Sequence, residues 1–205
     1  DRMAGILGLL QPEQAVGGWV PPLQVAIAVE HDHRILERCG GPLGAIDDAL
    51  QLASQAQVAA LQPDWLVVVG WSQICREPLL AVPRLGSIGY HPAPLPELRG
   101  RAVLAWTILL GRRTTAGTLF RLAPDVDSGS ILAQRDFDLD ERETLPGLMA
   151  KHMAALKQMW QELFLRLGEE GLTGTPQDES RASYCAKRTA EDGLIDWQAE
   201  ATAVD

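Results

Sequence analysis

Leu85-Gly86-Ser87-Ile88-Gly89-Tyr90-His91-Pro92-Ala93-Pro94-Leu95-Pro96 begins as a short apolar run and ends in a loop with three prolines in five residues. The run Leu85–Tyr90 reads as a strand, and the prolines stiffen the backbone beyond it while removing N–H donors. A histidine placed there is presented rigidly, as general acid–base chemistry requires. A satisfied structural histidine would carry the same local pattern, so His91 does not by itself establish a reaction.

The surrounding pattern sets the fold class. Upstream, Leu23–Val29 and Trp65–Val69 are continuous apolar runs of the kind that fill buried parallel strands. Leu43–Leu61 has apolar positions at helical spacing and ends before Pro63, and Gln73–Val82 reads as a helix stopped by Pro83. This β-α-β-α-β order predicts an α/β fold, a Rossmann-like, mostly parallel sheet with helices on both faces. Ligands in such sheets collect beyond the carboxyl ends of strands, and His91 sits at one.

Downstream, Ala102–Leu110 reads as a helix closed by Gly111. Thr115–Leu122 and Ile131–Phe137 read as strands joined by the turn Pro124-Asp125-Val126-Asp127-Ser128-Gly129. Leu148–Leu167 is the clearest helix, with Met149, Met153, Leu156, Trp160, Leu163 and Leu167 on one stripe expected to face the core, and His152 beside it at the surface. From Thr175 the chain turns polar and reads as an extended tail. The expected organisation is a domain over residues 1–174 and a linker over 175–205 toward a further domain.

Composition narrows the function classes. The chain has 205 residues, 46% of them hydrophobic, which suffices for one sizeable core. No apolar run reaches the roughly 18 residues of a membrane span. Cys39, Cys75 and Cys185 are scattered, odd in number and free of CxxC spacing, as expected of reduced thiols in a cytoplasmic protein. Eighteen basic against 27 acidic residues give a charge of −9, with basic pairs no larger than Arg112-Arg113 and Lys187-Arg188. Nucleic acid is therefore a disfavoured partner. His31-Asp32-His33 could chelate a metal, but no third ligand lies nearby, and the pair reads as a solvated loop. No metal is expected. No Gly-x-Gly-x-x-Gly follows a strand, which argues against a nicotinamide enzyme.

The histidine loop and the aspartate turn together resemble the 10-formyltetrahydrofolate-dependent formyltransferases. Members carry a strand ending Asn-x-His-Pro-x-x-Leu-Pro, an Arg-Gly or Lys-Gly soon after, and an Asp-x-Asp-x-Gly or Leu-Asp-Thr-Gly turn downstream. Here His91-Pro92-Ala93-Pro94-Leu95-Pro96, Arg99-Gly100 and Asp125-Val126-Asp127-Ser128-Gly129 match, and Gly70-Trp71-Ser72-Gln73-Ile74 resembles the loop that borders the folate pocket. The tail Ser183–Trp197 is similar to the linker that precedes a C-terminal domain in the transfer-RNA and sugar members. The buried central strand that opens family members is expected to be missing here, since Asp1-Arg2-Met3 leads directly into a helix-like stretch.

The resemblance implies transfer of a formyl group from 10-formyltetrahydrofolate to a primary amine. His91 would stabilise the oxyanion or shuttle the proton, with Asp127 orienting it. Gly70, Trp71, Ile74, Pro124, Asp125, Val126 and Asp127 would hold the folate, and Tyr90, Pro92, Arg99 and Gly100 the acceptor. The family asparagine is replaced by Gly89, and loss of one oxyanion donor costs about 10²- to 10³-fold in well-studied enzymes. Tyr90 points to the opposite face and is a poor substitute, leaving Ser72, Gln73 or a water as candidates. The mixed charge of Glu30–Arg38, where transfer-RNA members carry a basic loop, favours a small or nucleotide-linked amine. Arg99 and Arg101 would suit an amino-sugar nucleotide, although surface ion pairs would use the same guanidiniums. Methionyl-tRNA transfer, formyl-folate hydrolysis and a non-catalytic folate-binding module are the other readings, and a homo-oligomer is compatible with all of them.

Overall fold

The computed structural model describes residues 8–10, 25–29, 55–56, 58–70, 74–168 and 172–200. His31, His33, Cys39, Trp71, Ser72, Gln73 and most of the helix read over Leu43–Leu61 lie outside these described residues. Among the described residues six strands form one sheet in the order β1 (Gly8–Leu10), β2 (Val25–Val29), β3 (Trp65–Val69), β4 (Gly86–His91), β6 (Thr114–Arg121) and β7 (Ile131–Asp138). The short strands β5 (Arg99–Gly100) and β8 (Tyr184–Cys185) pair separately, in parallel. The helices are α1 (Glu77–Leu80), α2 (Val103–Leu109) and α3 (Leu145–Phe164), with a further helical stretch over 58–61.

The α/β architecture is as expected, but the sheet is mixed. β2, β3 and β4 run parallel, while β1 and the β6–β7 hairpin are antiparallel to their neighbours. Gly8–Leu10, helix-like by sequence, is an edge strand, since a three-residue apolar run has no period of its own and takes the geometry of its partner. β3 shows why its sequence is unbroken. Trp65 and Val67 face a core shared with α3, and Leu66 and Val68 face a second one with Val58, Cys75 and Leu79.

α3 begins at Thr144, whose hydroxyl accepts the Gly147 N–H, and Pro146 lies in its first turn. Its buried residues are Leu148, His152, Ala155, Met159 and Leu163. The helix is thus turned by about one residue from the expected stripe, and Met149 and Met153 are exposed. Two apolar stripes of similar period ran along this helix, and contact with the sheet chose the one containing His152. That histidine, expected at the surface, is 1% exposed. Tyr90 Oη lies 2.8 Å from its Nδ1, and the Phe137 ring meets it edge-on at 4.8 Å between centroids.

The first turn and the last turn of this core are tied by long-range bonds. Trp65 Nε1 donates to the Leu167 carbonyl at 3.0 Å, and the Arg121 guanidinium lies 5.0 Å over the Trp65 ring while donating to the Leu85 and Leu172 carbonyls. A cavity of about 520 Å³ opens here, at the end of β4 remote from His91, and its Arg121 is already engaged by those carbonyls. The segment after Thr175, read from sequence as a linker, is stitched to the domain as far as Ala186, first by a bridge between Thr175 and Ile131, then by β8, and last by the Trp106 indole N–H, which donates to the Ala186 carbonyl.

Burial holds the His152 imidazole down to about 4, below its ordinary 6.5. Between those values the unfolded chain binds a proton that the folded chain does not, so stability falls as pH drops through this window. The contribution lost by about pH 5 is on the order of 2 kcal/mol. Urea midpoints between about pH 7 and pH 5 should therefore fall more steeply for the wild type than for His152→Leu; parallel profiles would refute this reading.

Candidate functional site

The loop after β4 has a surplus of acceptors. Pro92, Pro94 and Pro96 offer no N–H, yet Ala93, Leu95 and Leu98 are buried and their carbonyls need donors. Those donors come from one row of side chains across the sheet. His91, Thr118 and Gln134 are successive cross-strand partners on β4, β6 and β7 and therefore share a face. Thr118 Oγ1 donates to the Ala93 carbonyl at 2.7 Å, Gln134 Nε2 to the Leu95 carbonyl at 2.9 Å, and His91 Nε2 to the Leu98 carbonyl at 2.7 Å. Gln134 Nε2 also donates to Thr118 Oγ1 at 2.8 Å. Sequence reading missed Thr118 and Gln134: Thr118 is a fully buried hydroxyl among the apolar residues of β6, while Gln134 lies at an exposed position of a strand rich in polar residues and carries no local signal.

This row fixes the proton arrangement of His91. A carbonyl only accepts, so Nε2 carries the hydrogen and Nδ1 is the nitrogen left to gain or lose one. Nδ1 faces Asp127 Oδ2 at 3.5 Å, an ion-pair distance longer than a formed hydrogen bond. His91 is 6% exposed, and the Asp127 side chain facing it is also largely buried. The pair can hold one proton and pass it at Nδ1.

Asp127 is itself held in an unusual conformation. Its φ is +50°, and the same Oδ2 accepts the Gly100 N–H at 2.8 Å. Gly100 has φ of +104°, and a Cβ there would stand 2.6 Å from the Cys185 carbonyl oxygen, so β5 and β8 can approach only with glycine at this point. The structure thus brings His91, Asp127 and Gly100 together. Pro124, Asp125 and Val126 lie exposed on the same loop as Asp127, Gly70 ends β3, Ile74 is exposed, and Pro92 is half-buried beside His91.

Two expected acceptor contacts lie elsewhere. Tyr90 points to the α3 face, where it meets His152, because neighbours along a strand alternate. Arg99 does not face a ligand at all: it is 1% exposed, and all five of its guanidinium N–H groups are used inside the protein. Nη1 donates to Glu179 Oε2 at 2.9 Å and Tyr184 Oη at 3.0 Å, Nη2 to Glu179 Oε1 at 2.6 Å and Gln177 Oε1 at 2.7 Å, and Nε to Gln177 Oε1 at 3.2 Å. Hydrogen bonding from Arg99 holds the Glu179 carboxyl below its ordinary range. The polar tail residues that read as solvated linker are the partners of a buried cation.

Gly89 lies on the His91 face, where a Cβ would stand 2.6 Å from Leu122 Cδ2 and 3.1 Å from the Phe120 ring. Leu122 and Phe120 thus occupy the room that a side chain at this position would need. Among the described residues no cluster of three or more His, Cys, Asp or Glu side chains could hold a metal ion. Among the same residues no helix is long and apolar enough to cross a membrane.

The Formyl transferase family matches residues 45–162. A methionyl-tRNA formyltransferase from Methylococcus capsulatus is 36% identical over 148 residues, covering 72% of this chain and 48% of that protein. The chain spans about half the length of the curated relatives it matches. HypX from Aquifex aeolicus in complex with tetrahydrofolic acid superposes with a TM-score of 0.66 at 19% identity, over 77% of this chain and 26% of that one. An N-formyltransferase from Helicobacter canadensis in complex with folinic acid and dTDP-3-aminofucose gives 0.52 at 17% identity, over 58% and 44%. At these identities the two structures share the fold.

The wall at Gly89 is testable without any assay of turnover. Gly89→Ala should destabilise the protein by about 1–3 kcal/mol through overpacking. In a Leu122→Ala background the same substitution should cost at least about 1 kcal/mol less, read from urea midpoints, and additive losses would show that Leu122 does not close the space.

Proposed function

The chain belongs to the Formyl transferase family, and we propose that it transfers the formyl group of 10-formyltetrahydrofolate to a primary amine, with His91 and Asp127 at the reacting centre. One observation carries this reading: a buried histidine, its Nε2 pinned by the Leu98 carbonyl, turns its titratable nitrogen to a carboxylate beyond the carboxyl end of a parallel strand. The folate supplies an activated formyl carbon when bound. The residues present suit it, since Gly70 leaves the strand end open, and exposed Ile74 and Val126 offer apolar surface for a flat ring.

The protein's part is to manage charge and one proton. Attack by the amine forms a new C–N bond, places negative charge on the formyl oxygen and leaves a surplus proton on the attacking nitrogen. When the original C–N bond breaks, the departing nitrogen needs that proton. His91 can take and return it at Nδ1, and protonated His91 places positive charge beside the oxyanion. Asp127 balances the imidazolium and keeps the ring in one orientation. Because Leu122 and Phe120 fill the position of the family asparagine, the oxyanion term falls to His91 rather than to a neutral amide from β4.

The acceptor is read more coarsely. The amino-sugar nucleotide expected from sequence rested on Arg99 and Arg101 as a phosphate clamp, and Arg99 is committed to the tail. A primary amine is what the site chemistry requires. Methionyl-tRNA is the second reading, favoured by the 36% identity to a protein named methionyl-tRNA formyltransferase. That name also weighs against dismissing a nucleic-acid partner on net charge alone.

The full-length protein incubated with 10-formyltetrahydrofolate and either methionyl-tRNA or amino-sugar nucleotides should release tetrahydrofolate together with a formylated acceptor. Folate release without any amine would make it a hydrolase. His91→Ala should lower turnover by about 10²- to 10⁴-fold while the protein remains folded, and undiminished turnover would overturn the assignment.

A further inference from the structure

We propose that Gln177, fifty residues beyond Asp127 in the chain, is a positioning residue for the His91–Asp127 pair. Its carboxamide uses its full hydrogen-bonding capacity. Nε2 donates to the Asp127 carbonyl at 2.8 Å and the Gly129 carbonyl at 2.7 Å, while Oε1 accepts from Arg99 Nη2 and Nε at 2.7 and 3.2 Å. The reversed amide would set NH₂ against a guanidinium and oxygen against two carbonyls, so this network admits one orientation.

The contacts close a ring around the aspartate. Gly100 N–H holds the Asp127 carboxylate from one side, Gln177 holds the Asp127 carbonyl from the other, and Arg99, the residue before Gly100, joins Gln177 to the loop. Asp127 sits at a positive φ, a conformation that a residue other than glycine keeps when its surroundings hold it there. Two hydrogen bonds to the carbonyls of Asp127 and Gly129 are the restraint the turn needs.

The same tail segment also supports the other half of the pair. Ser183 accepts the Leu98 N–H on its Oγ at 2.9 Å and the Arg99 N–H on its carbonyl at 2.8 Å. The Leu98 carbonyl is the acceptor that fixes His91. Both ends of the Nδ1···Oδ2 gap are therefore set by residues 177–185. A shift of about 1 Å in such a gap costs up to ~100-fold in rate.

The inference rests on the reading of His91 and Asp127 as the reacting centre, and its test separates the two. In the full-length protein, Gln177→Leu removes all four hydrogen bonds, and Gln177→Glu keeps an acceptor for Arg99 but loses both donors to the turn. Both variants should lose about 10- to 100-fold in kcat while KM for 10-formyltetrahydrofolate stays within about threefold. The ¹⁵N shifts of the His91 imidazole should move in both, with the melting temperature of Gln177→Glu still showing a cooperative fold. Wild-type kcat and unchanged His91 shifts in either folded variant would overturn the proposal, as would a kcat loss that tracks only the unfolded fraction. If the wild type transfers no formyl group, the functional reading fails by itself, and the imidazole shifts, which need no turnover, decide the role of Gln177.

Discussion

The buried carbonyls of the Pro92–Leu98 loop are the constraint from which the site follows. A stretch with three prolines gives up three donors and still carries every acceptor, and an unpaired buried carbonyl costs about 1–3 kcal/mol. The fold meets this need with side chains, one from each of three adjacent strands. His91 is one of those three, so a single hydrogen bond both satisfies the loop and selects the nitrogen available for chemistry. Support of the loop and preparation of the histidine are one physical event.

Arg99 extends the same economy to the tail. A buried guanidinium needs acceptors for five N–H groups, and burying it without them would be costly. Glu179, Gln177 and Tyr184 supply them, and the tail gains its place on the domain in return. With Tyr184 also lying beneath the guanidinium at 5.7 Å from the ring centroid, the contact holds the tail by charge, hydrogen bonds and ring face together. The substrate-binding role that sequence suggested for this arginine gives way to an internal one.

Much of the scaffold was legible in the sequence because its signals are local. The parallel strands, the helix after the histidine loop and the two strands flanking the aspartate turn lie within a residue or two of where runs, prolines and glycines place them. Pairing His91 with Asp127 came from the resemblance; local pattern gave only a histidine loop and a polar turn. What stayed hidden depends on contacts across fifty to eighty residues. The facing side of α3, the burial of His152 against Tyr90, and the tail's grip on Arg99 are decided by partners that no local period records. Thr118 and Gln134 were overlooked for a related reason, since a polar residue on a strand is informative only once the acceptor it reaches is known.

β8 changes what counts as the end of this domain. By the close of the long helix and the Leu172 packing beyond it, the two larger hydrophobic cores are complete, and a chain severed there would hold both but lose Cys185 from the smaller cluster of Ala93, Leu98 and Val103. It would also strip the Arg99 guanidinium of Glu179, Gln177 and Tyr184, and leave the Asp127 and Gly129 carbonyls without the Gln177 amide. The unit that completes the two larger cores and the unit that holds Arg99 and the aspartate turn in place have different boundaries, separated by the thirteen residues from Thr173 to Cys185. Any evolutionary fusion or excision at this point would have to respect the second boundary, which lies in a stretch that looks, residue by residue, like dispensable linker.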